Sequence, residues 1–216
     1  MLAVVLAIAL SPLIIVLAIV VRVTDGRPVI LRLPRVGRHG KVFRMWKFRT
    51  MRPAAGGASL TSARDDRVTR TGAALRHLRL DELPQLWNVI RGEMTLFGPR
   101  PETPEFVDVD DDMWKRVLLV PPGIAGITQV VAADIEAHAL RPGSVEELYR
   151  TRILPAKLAI DAWYVERATP ATDLVCVLSL VQRVLRPGRE TAAHRLASRE
   201  VGDPGLADLL DTPAVT

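Results

Sequence analysis

An adjacent acid pair, Asp81 and Glu82, stands just ahead of Pro84 in the stretch LRLDELPQLWNVIRGEMTLFGPRP (78–101), which closes on Arg100 between two prolines. These residue types can perform phosphoryl chemistry. An ionised aspartate can attack phosphorus, its neighbour can hold Mg2+, and an arginine can grip two non-bridging oxygens at once. The pair also has a plainer use, because Asp and Glu are favoured in a helix's first turn, where N–H groups lack partners and the dipole welcomes negative charge. Spacing alone leaves both uses open. Arg70, Arg76 and Arg79 precede the pair, in and beside a stretch at 71–80 that reads as helical.

Positioning these groups falls to the flanking elements. Leu83, Leu86, Trp87 and Ile90 recur at i, i+3, i+4 and i+7, which predicts a helix with Pro84 in its first turn. Asp81 and Glu82 would then sit at its positive end, where a transferred phosphate is also favoured. Upstream, 28–50 reads as two β-rich runs joined at Gly37-Arg38-His39-Gly40, a basic turn that is weak evidence of phosphate binding and more often a simple hairpin. Residues 53–66 have the small, polar composition of a mobile surface loop or lid. The acidic run at 108–112 lacks the spaced ligands of a calcium loop and reads as a helix cap or solvated face. Leu174, Val177, Leu178, Val181 and Leu185 make an apolar helical stripe. It suits either a core or a membrane surface with Arg183 and Arg186 toward headgroups.

With 216 residues the chain can bury one substantial core, and its net charge of +5 fits an anionic partner. A lone cysteine, Cys176, excludes an intramolecular disulfide and is expected to pack as a small hydrophobe. From Met1 to Val21 no residue is charged, and a helix of that length spans roughly 30 Å, the thickness of a bilayer core. No basic leader precedes the run, so a cleaved signal peptide is not expected. Length alone favours a straight span. Ser11-Pro12 at the midpoint argues instead for a break, with the Ser11 hydroxyl helping to satisfy a freed carbonyl, and so for a helix that enters and leaves by one face. Arg22, Arg27, Arg32, Arg35, Arg38 and Lys41 should hold the following domain on the cytoplasmic side.

Several motifs in register carry a resemblance: the Ser11-Pro12 apolar segment, RVGRHGKVFRMWKFRTM (35–51), the 80–101 stretch, PGIAGITQV (122–130) and KLAIDAWYVE (157–166). The chain resembles the bacterial sugar transferase family, the monotopic polyprenyl-phosphate phosphoglycosyltransferases. The resemblance implies a re-entrant membrane helix at the inner membrane's cytoplasmic face. It also implies that Asp81 attacks the β-phosphate of a UDP-sugar, releasing UMP, and that undecaprenyl phosphate then takes the phosphosugar. Glu82 would help hold Mg2+, and Arg100, Arg76 and Lys47 fall on basic positions expected to face phosphates. Lys47 and Arg49 could equally form ion pairs on the hairpin. Asp161 and Tyr164 match the family's Asp-x-x-Tyr, as site residues or as a buried hydrogen bond. Ala125 stands where the family's signature commonly has threonine.

The expected fold is α+β: a re-entrant helix over 1–21, a mainly helical catalytic domain with a small β-hairpin over 22–187, and a mobile tail over 188–216. A nucleic-acid module would explain the positive charge but not the acid pair or the 5% aromatic content, since single-strand binders present stacking rings. A catalytically inactive membrane scaffold is the other rival; association with further copies or with downstream glycosyltransferases is left open. Sugar specificity is expected in loops 52–66 and 131–150.

Overall fold

The computed structural model describes residues 1–52, 65–131, 145–186 and 189–202. The uncharged N-terminal segment forms one helix, α1 (Leu2–Thr24), with Pro12 inside it. Proline removes the donor that would reach the carbonyl four residues back, which is Ile8's. Ser11 Oγ donates to that same Ile8 carbonyl at 2.7 Å. The helix runs through Ser11-Pro12 as one element, so the expected break is not seen here.

One stripe of α1, Ala3, Ala7, Leu10, Ile14, Leu17 and Val21, is wholly or partly covered, while Val5, Ile8, Ile15 and Ile19 are exposed. Alternating steps of four and three keep the covered residues on one face. Val21 packs with Phe48 and Leu75. The first turn shares a cleft with Val89, Ile90 and Asp173. Both ends of α1 therefore rest on the same folded body.

The predicted hairpin forms from β1 (Ile30–Val36) and β2 (Val42–Phe48), antiparallel, with Leu33 opposite Met45. Pro34 is tolerated because β1 has no strand on its other side. The far edge of β2 meets an amide side chain: Asn88 Oδ1 accepts from Trp46 N at 3.0 Å, and Asn88 Nδ2 donates to Arg44 O at 2.8 Å. The hairpin tip docks on the protein, since His39 N donates to Leu118 O at 2.8 Å and Arg38 Nε to Leu119 O at 2.9 Å. That turn is a structural clamp, which resolves its weak phosphate reading.

Helix α2 (Arg70–His77) is capped by Thr69, whose hydroxyl accepts from Gly72 N at 2.9 Å. A Cβ on Gly72 would lie 2.0 Å from Thr50 O, so only glycine lets α2 pass the end of the hairpin. After Arg79, at φ 57°, the chain enters a 3-10 turn over Leu80–Gln85 and then a short α3 (Leu86–Ile90). This departs from the predicted single helix: Trp87 is 46% exposed, and the inward positions belong to Gln85, Leu86 and Asn88. Two three-residue strands, β3 (Thr95–Phe97) and β4 (Gly123–Ala125), pair in parallel and were not anticipated. Between them α4 (Asp112–Val117) is capped by Asp111, which accepts from Met113 N and Trp114 N, as the acidic run suggested.

The helical layer comprises residues 127–131, a turn at Val145–Leu148 that passes through a π-helical segment (Tyr149–Ile153) into α5 (Leu154–Arg167), then α6 (Pro170–Leu185) and α7 (Ala192–Glu200). Its core includes Ile127, Val130, Tyr149, Ile153, Ile160 and Cys176. Helix α6 turns Cys176 and Ser179 inward and leaves Leu174, Leu178, Val181 and Leu185 exposed, so the stripe is not core. Ala193 and Ala197 of α7 are fully buried, and Ala193 N donates to Ser179 Oγ at 3.1 Å. This part of the predicted mobile tail is folded onto the core. Residues 53–64, 132–144 and 203–216, on which the loop, specificity and remaining tail expectations fall, lie outside the described residues. The architecture is α+β with a small antiparallel hairpin and one N-terminal apolar helix.

Candidate active site

The 3-10 turn holds Asp81 and Glu82 at 1% and 5% exposure, so neither is the solvated helix cap of the plain reading. Buried carboxylates need compensation, and cations from three directions supply it. From β2, Lys47 Nζ lies 2.8 Å from Asp81 Oδ2 and 3.8 Å from Glu82 Oε1. Arg100 Nη2 donates to Glu82 Oε1 at 3.0 Å, and Arg79 Nη1 stands 3.7 Å from the same oxygen. Arg76 is held near Asp81 by its Nε, which donates to Thr50 Oγ1 at 2.9 Å, and Asp81 is the leading charge that steadies its guanidinium against burial.

The two acids differ in how they are satisfied. Burial would raise the Glu82 carboxyl, but Arg100, Lys47 and Arg79 outweigh it and bring it to about 2. Neither oxygen of Asp81 accepts a hydrogen bond; its Lys47 contact is an ion pair outside hydrogen-bonding alignment. A sequestered carboxylate without hydrogen bonds keeps its lone pairs available to an electrophile. The helix that follows the pair is only five residues long, and side-chain cations are the leading charges acting on Glu82.

Arg100 is presented by a pinned arch. Pro99 O accepts from Gly123 N at 2.8 Å, and Glu102 O accepts from Val36 N at 2.9 Å. A Cβ on Gly123 would sit 2.1 Å from Gly98 N, so the β3–β4 approach that fixes the arch requires glycine. The Glu102 side chain takes Lys157 Nζ at 3.0 Å and Tyr149 OH at 2.6 Å, and Lys157 Nζ also donates to Tyr149 OH at 2.6 Å. Burial raises the Glu102 carboxyl, yet Lys157 and these hydrogen bonds bring it to about 2.

The structure thus gathers Asp81, Glu82, Lys47, Arg76 and Arg100, and gives the other candidates partners of their own. Arg49 is buried with Nη1 donating to Arg27 O, a tie to the chain leaving α1. Asp161 accepts from Thr128 Oγ1, and Tyr164 donates to Asp173 at the start of α6. Both follow the buried hydrogen-bond reading, although each with its own partner. Burial lifts the Asp161 carboxyl to about 7 against the opposing pull of Thr128 and Lys157. Ser11 and Pro12 lie in α1, away from the acid pair in sequence, with Ser11 on its covered stripe. Arg79 was noted only as a cation ahead of the pair, and Glu102, Tyr149 and Lys157 were not singled out from sequence. Two signals were available: Arg79 lies two residues before Asp81, and Lys157 opens the KLAIDAWYVE motif.

A buried acid pair ringed by cations thus lies in a domain that also carries a long, largely exposed apolar helix. The chain belongs to the bacterial sugar transferase family, which it matches over residues 1–187. It is 37% identical over 195 residues to a UDP-N-acetylgalactosamine-undecaprenyl-phosphate N-acetylgalactosaminephosphotransferase of Aeromonas hydrophila, covering 85% of this chain and 42% of that protein. It is 33% identical to the exopolysaccharide production protein ExoY of Sinorhizobium fredii, covering 85% of this chain and 82% of that one. It is also 33% identical to an undecaprenyl-phosphate glucose phosphotransferase of Komagataeibacter xylinus, over 83% of this chain and 34% of the relative. The chain therefore spans under half of two of these relatives and most of the third.

Proposed function

We propose that the protein transfers a sugar 1-phosphate from a UDP-sugar to undecaprenyl phosphate, an opening step of surface glycan assembly. The observation that carries this is Asp81: buried, beside Lys47, without a hydrogen bond to either oxygen, in a chain of this family. Asp81 attacks the β-phosphorus, and the bond between the two phosphates breaks, so UMP leaves with its electron pair. A phosphate oxygen of the lipid then attacks the same phosphorus and releases the Asp81 carboxylate. Lys47 and Arg100 hold phosphate oxygens. Their charge opposes the negative charge that gathers in transfer. Relatives named for N-acetylgalactosamine and for glucose both align across the site, so the sugar is to be found by a donor panel.

Mg2+ fits this donor set. Two adjacent hard carboxylates suit an ion that takes few protein ligands and shares substrate phosphates. Among the described residues no group of three or more potential ligands exists, which is what such an ion would need if the protein alone caged it. Glu82 would help hold it, and it would neutralise phosphate charge when bound. We also place the enzyme on one face of the membrane, the cytoplasmic one. A helix whose two ends rest on one folded body cannot present them to opposite sides of a bilayer, and the basic residues after α1 favour the cytosol.

The test is the leaving group. Enzyme and UDP-sugar without lipid should give about one equivalent of UMP and a protein heavier by one phosphosugar. Asp81→Asn should lose both while remaining membrane-bound. UDP as product, or an adduct on the Asn variant, would overturn the assignment.

A further inference from the structure

Two arginines from distant parts of the chain meet beside the acid pair. Arg79 Nη2 donates to Gln129 O at 2.9 Å, and Arg183 Nη1 donates to Val130 O at 2.8 Å, so adjacent carbonyls hold the two guanidiniums side by side. Arg79 is also 3.7 Å from Glu82. It occupies a left-handed backbone conformation that only a few non-glycine residues adopt, at the point where α2 gives way to the acid-bearing turn. Burial draws the Arg79 guanidinium below its ordinary value; Glu82 opposes this, while Arg100 and Arg183 add to it. Arg79, with Arg100 and Arg183 both pressing on it, makes a crowded cationic place that favours a further anion.

The helix carrying Arg183 identifies which anion. In α6, Thr172, Cys176 and Ser179 face the core, and Arg183 continues that inward face toward the site. The opposite face is apolar and open: Leu178 is 57%, Val181 51% and Leu185 74% exposed. Where α6 begins, Asp173 lines the same open cleft as the first turn of α1. An amphipathic helix of this kind lies in the membrane interface with its apolar side among acyl chains and its other side level with headgroups. Arg183 then stands at the depth of a lipid phosphate, next to Arg79 and Glu82.

We propose that Arg79 and Arg183 form the subsite for the phosphate of the isoprenoid acceptor, with the open face of α6 taking its hydrocarbon chain, while Lys47 and Arg100 serve the nucleotide-sugar. This deepens the transferase reading and rests on it. The experiment measures KM for each substrate separately, in nanodiscs, for the wild type, Arg79→Ser, Arg183→Gln and Arg183→Lys. The two neutral variants should raise KM for polyprenyl phosphate roughly tenfold and leave KM for UDP-sugar within about twofold. Arg183→Lys should recover part of the loss, and an unchanged thermal transition excludes misfolding. If Arg183→Gln fails to fold, Arg79→Ser and Arg183→Lys carry the test. A rise in both constants, a rise for UDP-sugar alone, or no change overturns the subsite while wild-type turnover leaves the transferase reading intact. A wild type that turns over no donor with polyprenyl phosphate overturns both.

Discussion

Two buried acidic clusters lie one short arch apart and are satisfied in opposite ways. At Glu102 every nearby group has a matched neighbour: Lys157 donates to Glu102 and Tyr149, and Tyr149 donates to Glu102. At Asp81 the carboxylate is more deeply buried, yet neither oxygen accepts a hydrogen bond. Closed networks hold structure, and a buried group left open in a field of opposite charge is available for chemistry. Pro99 to Glu102 couples the two, because one end of the arch is anchored in the closed cluster and Arg100 reaches the open one.

The contrast can be broken from either side. Glu82→Gln should lower turnover by roughly 10²-fold or more, because the amide offers a divalent cation no charge. It should also remove an acid-labile contribution to stability. The Glu82 carboxyl is lowered in the fold, so its contribution is complete above about 4.5 and lost as pH falls toward about 2. A variant with full turnover that is still abolished by EDTA would detach Glu82 from the metal. In the closed cluster, Lys157→Met should cost about 3–5 kcal/mol, because it leaves Glu102 charged and buried with one partner fewer. Denaturant unfolding in micelles measures this; a cost below about 1 kcal/mol would mean that the cluster is not sealed.

Asp161 offers a pH-dependent effect of opposite sign and comparable size. Its carboxyl is raised to about 7, so the folded protein holds a proton that the unfolded chain has released above about 4. Stability should therefore fall as pH rises from about 4 to 7, by up to about 1.4 kcal/mol per unit, and then level off. Asp161→Asn should flatten that segment of the curve, which a series of thermal scans would reveal. Smallest of all, Tyr164→Phe removes one donor to Asp173 and should cost about 1 kcal/mol with KM for both substrates unchanged. A changed KM would return Tyr164 to the site.

The acid pair and Arg100 were legible because they share one contiguous stretch, and the hairpin because its two runs are bounded by a glycine turn. Other features depend on contacts between distant segments. The i, i+3 spacing of Asp161 and Tyr164 suggested a pair, but Thr128 and Asp173, from other elements, take them separately. The β3–β4 pairing joins three-residue strands far apart in the chain, too short for any periodicity to register. Periodicity also misplaced the inner face of α3. Asn88, a polar residue, outcompeted Trp87 and Ile90 for the interior because β2 needed its edge satisfied.

The covered stripe of α1 has a practical consequence for anyone altering the protein. Phe48 and Leu75 are buried in a cluster completed by Val21, Leu17 and Ile14. A fragment starting after Thr24 would open that cluster to water and invite aggregation. Exchanging α1 for an unrelated spanning segment would restore the address without the seam. Solubilisation by truncation and retargeting by anchor swap should both fail here, and detergents that keep α1 seated on its partner surface are the ones to choose for purification.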